Sequence, residues 1–222
     1  MWHNAQMSAT ATDTKTLRSD ARRNRERLVA SARELIAHQG PDVSVEEITQ
    51  HAGLGMGTLY RHFPTKDELI DAVLEDSFAE LVELARSAAE EEDAWTGLTT
   101  FLEQALARHA ANRGLKDVLA SREHGRRRAE AMRKRIRPVL QELIERAQAQ
   151  GTLRADFTGE DLPLVFWTAG RVIETTAAVS PEYWRRYLGL LLDGLRAGSA
   201  TELPEPALTR AQLARAAGRR ES

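Results

Sequence analysis

The chain has 222 residues, a formal net charge of −2 and no cysteine. That length is enough to bury a sizeable core in one or two compact domains. The missing cysteine excludes disulfides and thiolate metal sites, and the near-neutral balance leaves any case for nucleic-acid binding to local charge clusters.

Residues 1–16 lack the apolar core of a signal peptide and no run reaches bilayer-spanning length, so the expected location is the cytoplasm with no membrane partner; Met7 is a second candidate start. From Asp20 to Gly40, Leu28, Ala32, Leu35 and Ile36 recur at helical spacing, and Gly40-Pro41 is a terminator. The entry to this helix is basic: Lys15, Arg18, Arg22, Arg23, Arg25 and Arg27 stand against Asp20 and Glu26. Such a run reads either as a solvated face or as a phosphate-binding arm.

Ser44-Val45-Glu46-Glu47 is a capping box that opens a second helix with Val45, Ile48 and Ala52 on one face, closed by Gly53. A third, short helix follows within a few residues. Thr65-Lys66-Asp67-Glu68 is a second capping box just after Pro64, and it starts a helix striped by Ile70, Val73, Leu74, Phe78 and Leu81 that ends in the acidic segment 90–93. Helical periodicity continues over Trp95–Ala110, Gly114–Glu123 and Met132–Ala149. Pro138 inside the last pattern predicts either a kink or the true helix start, and the basic run Arg126–Arg137 reads as a solvated helix face. Thr158 opens an apolar segment through Val179, and Ser180-Pro181 predicts a capped final helix carrying Trp184, Leu188, Leu191, Leu192 and Leu195. The tail from Ser199 is expected to be loose apart from a short helix within 207–217.

The stretch Gly53–Lys66 has the spacing of the turn and second helix of a helix-turn-helix. Leu59 and Phe63, four apart, supply a buried side. Thr58, Tyr60, Arg61 and His62 are left for a DNA groove and its walls, Gly55 and Gly57 permit close backbone approach, and Lys66 adds a charge beside a helix amino terminus.

Residues from about Arg25 to Ile70 resemble the DNA-binding domain of the TetR family of transcriptional regulators. The likeness is carried by Ala52-Gly53, Gly57-Thr58-Leu59-Tyr60-Arg61-His62-Phe63, Pro64 and Lys66 through Leu69. The resemblance implies an all-α homodimer: a three-helix DNA-binding domain with a helix-turn-helix, followed by a larger helical ligand-binding and dimerisation domain. It also implies a repressor that binds a palindromic double-stranded operator and is released by a small-molecule effector, with Thr58, Tyr60, His62 and Lys66 at the DNA. Gly55 stands where a polar capping residue is frequent in the family and Met56 where a lysine is frequent, which removes base-reading candidates. The expected division is a flexible basic arm over 1–19, the DNA-binding domain over 20–66, the effector and dimer domain over 67–198 and a tail over 199–222. The candidate DNA-facing set is Ser44, Gly55, Met56, Gly57, Thr58, Tyr60, Arg61, His62 and Lys66.

Other chemistry finds little support. Gly53-x-Gly55-x-Gly57 lacks the final glycine and preceding strand of a dinucleotide loop. The histidines show no i, i+4 pair for a metal, and no nucleophile elbow occurs, so no cofactor, metal or catalytic residue is expected. A constitutive DNA-binding protein without effector, or an enzyme carrying a helical DNA-binding module, are the competing readings. Effector candidates are Trp95, Phe101, His109, Phe166, Trp167, Arg171 and Glu174. The last two, on an otherwise apolar helix, read either as a buried interface pair or as pocket anchors. Trp184, Leu188, Leu191, Leu192 and Leu195 are the candidate dimer contacts.

Overall fold

The computed structural model describes residues 4–40, 42–112, 123–199 and 201–218. Among the described residues the regular structure is helical, with one isolated antiparallel bridge between Leu153 and Arg196. The helices are α1 (Asn4–Gln39), α2 (Val45–Ala52), α3 (Met56–His62), α4 (Lys66–Glu90), α5 (Ala94–Ala111), α6 (Glu123–Ala149), α7 (Leu162–Thr176), α8 (Tyr183–Leu195) and α9 (Arg210–Gly218), with a 3-10 turn at Ala197–Ser199. The chain divides into two compact units, 1–77 with 112–128, and 78–111 with 129–222, so one division falls inside α4.

In the first unit α1, α2 and α3 pack on one another. Leu28, Val29, Ala32 and Ile36 of α1 meet Ile48, Ala52, Leu59 and Phe63 in a core extended by Leu69, Ile70, Val73 and Leu74. The α1 backbone is already helical at Asn4, well before the Asp20 start that periodicity predicts. Apolar spacing marks only the part of a helix that meets a core; Ala5, Ala9 and Ala11 favour helix without it, and no glycine or proline interrupts the run before Gly40. Gly40 closes α1 at φ 87°. Arg33 pairs with Asp76, and His51 lies 3.1 Å from Glu34, tying α1 to α4 and α2.

The second unit is built on the seams between α5, α7 and α8, together with α6 and the later part of α4. The carboxy-terminal end of α6 serves as a latch. Arg146 donates to the Ala89 and Glu91 carbonyls at the end of α4, each at 2.5 Å. Gln150 accepts from the Ala94 amide at 2.9 Å, and Gln148 donates to the carbonyls of Arg154, Ala155 and Phe157. These side chains take up carbonyls that a helix end and a loop would otherwise leave bare.

The helix expected over 114–123 lies outside the described residues, apart from Glu123. Pro138 sits within α6 and does not start it; Pro138 and Lys134 are both exposed, so the carbonyl that loses its donor faces solvent. Thr158 lies before α7, its amide and hydroxyl bonded to the Asp161 carboxylate at 2.8 and 3.0 Å. Ser180 does not cap α8: its carbonyl accepts from the Tyr183 amide at 3.1 Å, and Glu182 occupies the cap position. The tail is held where looseness is expected. The Arg154 guanidinium, buried and paired with Asp156, donates to the Thr201 carbonyl at 2.7 Å and to Gly194 at 3.1 Å. Thr209 then caps α9, whose Leu213 is buried.

Gly97 shows how closely the second unit is packed. A Cβ built there would stand 2.3 Å from the Ala88 carbonyl oxygen and 3.2 Å from Leu143 Cδ1. Gly97→Ala is therefore expected to destabilise by about 1–3 kcal/mol through forced backbone displacement, read as a lowered midpoint in urea unfolding; an unchanged midpoint would contradict this packing.

Candidate nucleic-acid interface

The local chemistry of 44–66 explains its shape. Ser44 Oγ accepts from the Glu47 amide at 3.1 Å, and the Glu47 carboxylate accepts from the Ser44 amide and hydroxyl, each at 2.8 Å, closing the reciprocal cap. These bonds, backbone first, hold the Glu47 carboxyl below its usual range, and the Lys66 ammonium lowers it further. At the other end of α2, Gly53 takes φ 61°, ψ 39°. Its amide reaches the Gln50 carbonyl at 3.1 Å, and that of Leu54 reaches Thr49 at 2.9 Å. Only a residue without Cβ adopts this left-handed turn at no cost.

α3 follows with no side-chain cap. Leu59 and Phe63 are buried beneath it. Thr58 and His62 are partly exposed, Arg61 is exposed and Tyr60 is 48 % exposed, so these side chains present the outer surface. Gly55 is in ordinary extended backbone, and a Cβ at Gly55 or Gly57 would meet nothing within 4 Å. These glycines relieve no internal clash; they leave the outer backbone bare. The hydroxyl of Thr65 accepts from the Glu68 amide at 3.2 Å to start α4, with Lys66 at its first position.

The structure separates the candidates by what they already touch. Ser44 is engaged in its cap. Met56 is half-buried, its sulfur receiving the Thr49 hydroxyl at 3.4 Å, so it braces α3 on α2. Nε2 of His62 is buried without a hydrogen-bond partner, and burial, followed by Arg61 and Arg25, pushes the imidazole below its usual range. At neutral pH it is therefore a neutral group, not a cation.

Among the basic residues before Leu28, Arg22, Arg23, Arg25 and Arg27 each have a partner. Arg22 lies 3.5 Å from Glu26, and Arg23 pairs with Asp20. Arg25 sits 5.3 Å from the centre of the Phe63 ring, and Arg27 donates to the Ala52 carbonyl at 2.5 Å. Sequence reasoning missed these last two roles, because nothing in a run of arginines says which of them reach back to a ring or a carbonyl of a neighbouring helix while staying exposed.

Of the effector candidates, Phe101 and Phe166 meet edge to face at 6.2 Å, and about two turns on His109 lies against Gly170 on the same α5–α7 seam. Trp95 is elsewhere, under the guanidinium of Arg196 at 4.7 Å. Trp167 is half-buried, and Arg171 and Glu174 form a 3.3 Å pair in which Arg171 is largely exposed, not a buried pair within the protomer. Among the dimer candidates, Trp184 is 1 % exposed and Leu188 is also buried, both inside their own core. Leu191, Leu192 and Leu195 are half-buried, the latter two against that core. The outward residues of this region are Val179 at 89 %, Leu190 at 62 % and Tyr183.

Residues 28–73 match the model for bacterial regulatory proteins of the tetR family, and 93–197 match that for the SbtR-like transcriptional regulator C-terminal domain. A TetR transcription regulatory protein from Mycobacterium vanbaalenii is 32 % identical with a TM-score of 0.65, over 81 % of this chain and 99 % of that one. The chain belongs to the TetR family of transcriptional regulators. A TetR regulator from Streptomyces coelicolor is 27 % identical with a TM-score of 0.60, over 78 % and 98 % of the two chains. An HTH-type transcriptional regulator of Staphylococcus aureus is 40 % identical over 60 residues, which are 27 % of this chain and 32 % of the relative. DNA binding through the helix-turn-helix follows from the family. Among the described residues no helix is long and apolar enough to cross a membrane, and no metal-binding cluster occurs.

Ser44→Ala removes the cap and is expected to cost about 1 kcal/mol. Because the Glu47 carboxyl is lowered on folding, its contribution is complete above about pH 4.3 and is lost as the pH falls through the lowered folded-state value. Thermal melts of wild type and Ser44→Ala should differ at pH 7 and by less on acidification, the hydroxyl cap on the Glu47 amide persisting in acid; a gap that widens in acid would refute this assignment.

Proposed function

We propose that the chain is a ligand-responsive transcriptional repressor that binds a palindromic operator as a homodimer in the cytoplasm and lets go when a small molecule occupies the second unit. The observation that carries the reading is α3, fixed from below by Leu59 and Phe63 while Thr58, Tyr60 and Arg61 face outward beside bare glycine backbone. In this reading α3 enters the major groove, Thr58 and Arg61 approach bases and groove walls, and Tyr60, His62 and Lys66 contact phosphates. His62 does so as a neutral donor. Two copies place their α3 helices about 34–36 Å apart, one turn of DNA.

The outward faces of α7 and α8 supply the dimer contact, through Val179, Tyr183, Leu190 and the half-buried Leu191, with Arg171 and Glu174 at its polar edge. A single exposed leucine is unremarkable, but apolar side chains this exposed on neighbouring elements suit a self-complementary surface. The effector meets the α5–α7 seam at Phe101, Phe166 and His109, and it acts by favouring a conformation with lower operator affinity. No catalytic step is assigned to the chain.

Lys66→Ala should weaken binding to every duplex alike and lower the salt slope of log K by about one unit; wild-type salt dependence in a fluorescence-anisotropy titration would remove Lys66 from the phosphate contacts. Leu190→Glu should shift sedimentation equilibrium from dimer toward monomer while leaving the circular-dichroism melt near wild type. A variant that stays dimeric would place the interface elsewhere.

A further inference from the structure

The last carbonyl of α2 is taken by a residue from another helix. Gly53 and Leu54 donate back to Gln50 and Thr49, while the Ala52 carbonyl receives the Arg27 guanidinium at 2.5 Å. A cation at a helix carboxy terminus is favoured both as a donor to its exposed carbonyls and by the helix dipole. The guanidinium also covers the turn itself: a Cβ at Gly53 would stand 3.2 Å from the same Arg27 nitrogen. Arg27 directly precedes Leu28, which is fully buried, so the arginine projects from a fixed point of α1. Two residues earlier Arg25 lies over the ring of Phe63, where α3 ends. The segment from Ala52 to Phe63 is thus held at both ends by arginines of α1.

We propose that Arg27 is a positioning residue for DNA reading: it sets the angle at which α3 leaves the turn and does not itself contact a phosphate. This rests on the DNA-binding role of α3. α3 has seven residues and no side-chain cap, so its direction is governed by the turn that precedes it and the residues buried beneath it. Releasing the Ala52 carbonyl allows the turn to sample other geometries, and apparent affinity falls with the fraction of molecules that hold the competent one. A duplex bound by charge alone does not sense that angle, because phosphate contacts are far less demanding of orientation than base contacts.

The test uses the full-length chain, a duplex recovered by the wild type from a randomised DNA pool, and a scrambled duplex of the same length. Arg27→Gln is expected to lose on the order of tenfold affinity for the recovered duplex, to bind the scrambled duplex as wild type does, and to keep the wild-type salt slope. Arg27→Lys, whose ammonium can still donate to the carbonyl, should regain part of the loss. An equal loss on both duplexes with a slope lower by about one would make Arg27 a phosphate contact and overturn the proposal, as would unchanged affinity for both. Thermal melts establish that each variant is folded at the assay temperature. If Arg27→Gln is not, Arg27→Lys decides: selective weakening on the recovered duplex upholds the proposal and wild-type behaviour on both overturns it. A wild type that recovers no sequence removes the DNA reading and this inference together, an outcome separate from failure of the variants.

Discussion

A helix of seven residues makes too few internal hydrogen bonds to persist in water, so α3 depends on the burial of Leu59 and Phe63 against α1 and α2. Everything that α3 offers to DNA follows from that anchorage. With these two side chains pointing inward, helical spacing turns Thr58, Tyr60 and Arg61 outward. The left-handed turn at Gly53 then decides where the outward face is aimed, since it lets the chain reverse in so few residues.

Charge in the first unit also joins one helix to another. Arg33 with Asp76, Glu34 with His51, and Arg27 with Ala52 join α1 to the elements that follow it. Arg22, Arg23, Arg25 and Arg27 remain exposed while they make these and other pairings. Around α3 the exposed groups are short polar side chains, bare glycine backbone and Arg61, with the partly exposed Lys66 at the start of α4. On the proposed reading, specificity depends on the exact placement of α3 and on DNA shape.

The second unit solves a different problem, that of closing long helices around an apolar interior. Arg146, Gln148 and Gln150, all near the end of α6, satisfy carbonyls at the end of α4 and in the loop before α7. Arg154 does the same for the chain after α8. Of these, Arg154 is buried, so a lost bond there leaves an unsatisfied group. The apolar side chains left over, Val179, Tyr183 and Leu190, face outward.

The amino-acid sequence by itself determined the helical class, the capping box at Ser44, the Thr65 hydroxyl cap, the turn at Gly53 and the inward pair Leu59 and Phe63. All of these are local: the groups that interact lie within one or two helical turns, so their spacing specifies the contact. Only the tertiary structure decided that α1 is already helical at Asn4, that Ser180 does not cap α8 and that Pro138 lies inside α6, because propensity without a core stripe leaves a helix boundary open. It alone placed Arg27 on Ala52, joined Phe101 to Phe166 across two helices, and set Trp184 and Leu188 inside their own protomer. Periodicity shows that residues share a face of a helix, but which surface that face meets depends on groups distant in the chain, and no spacing along the sequence encodes it.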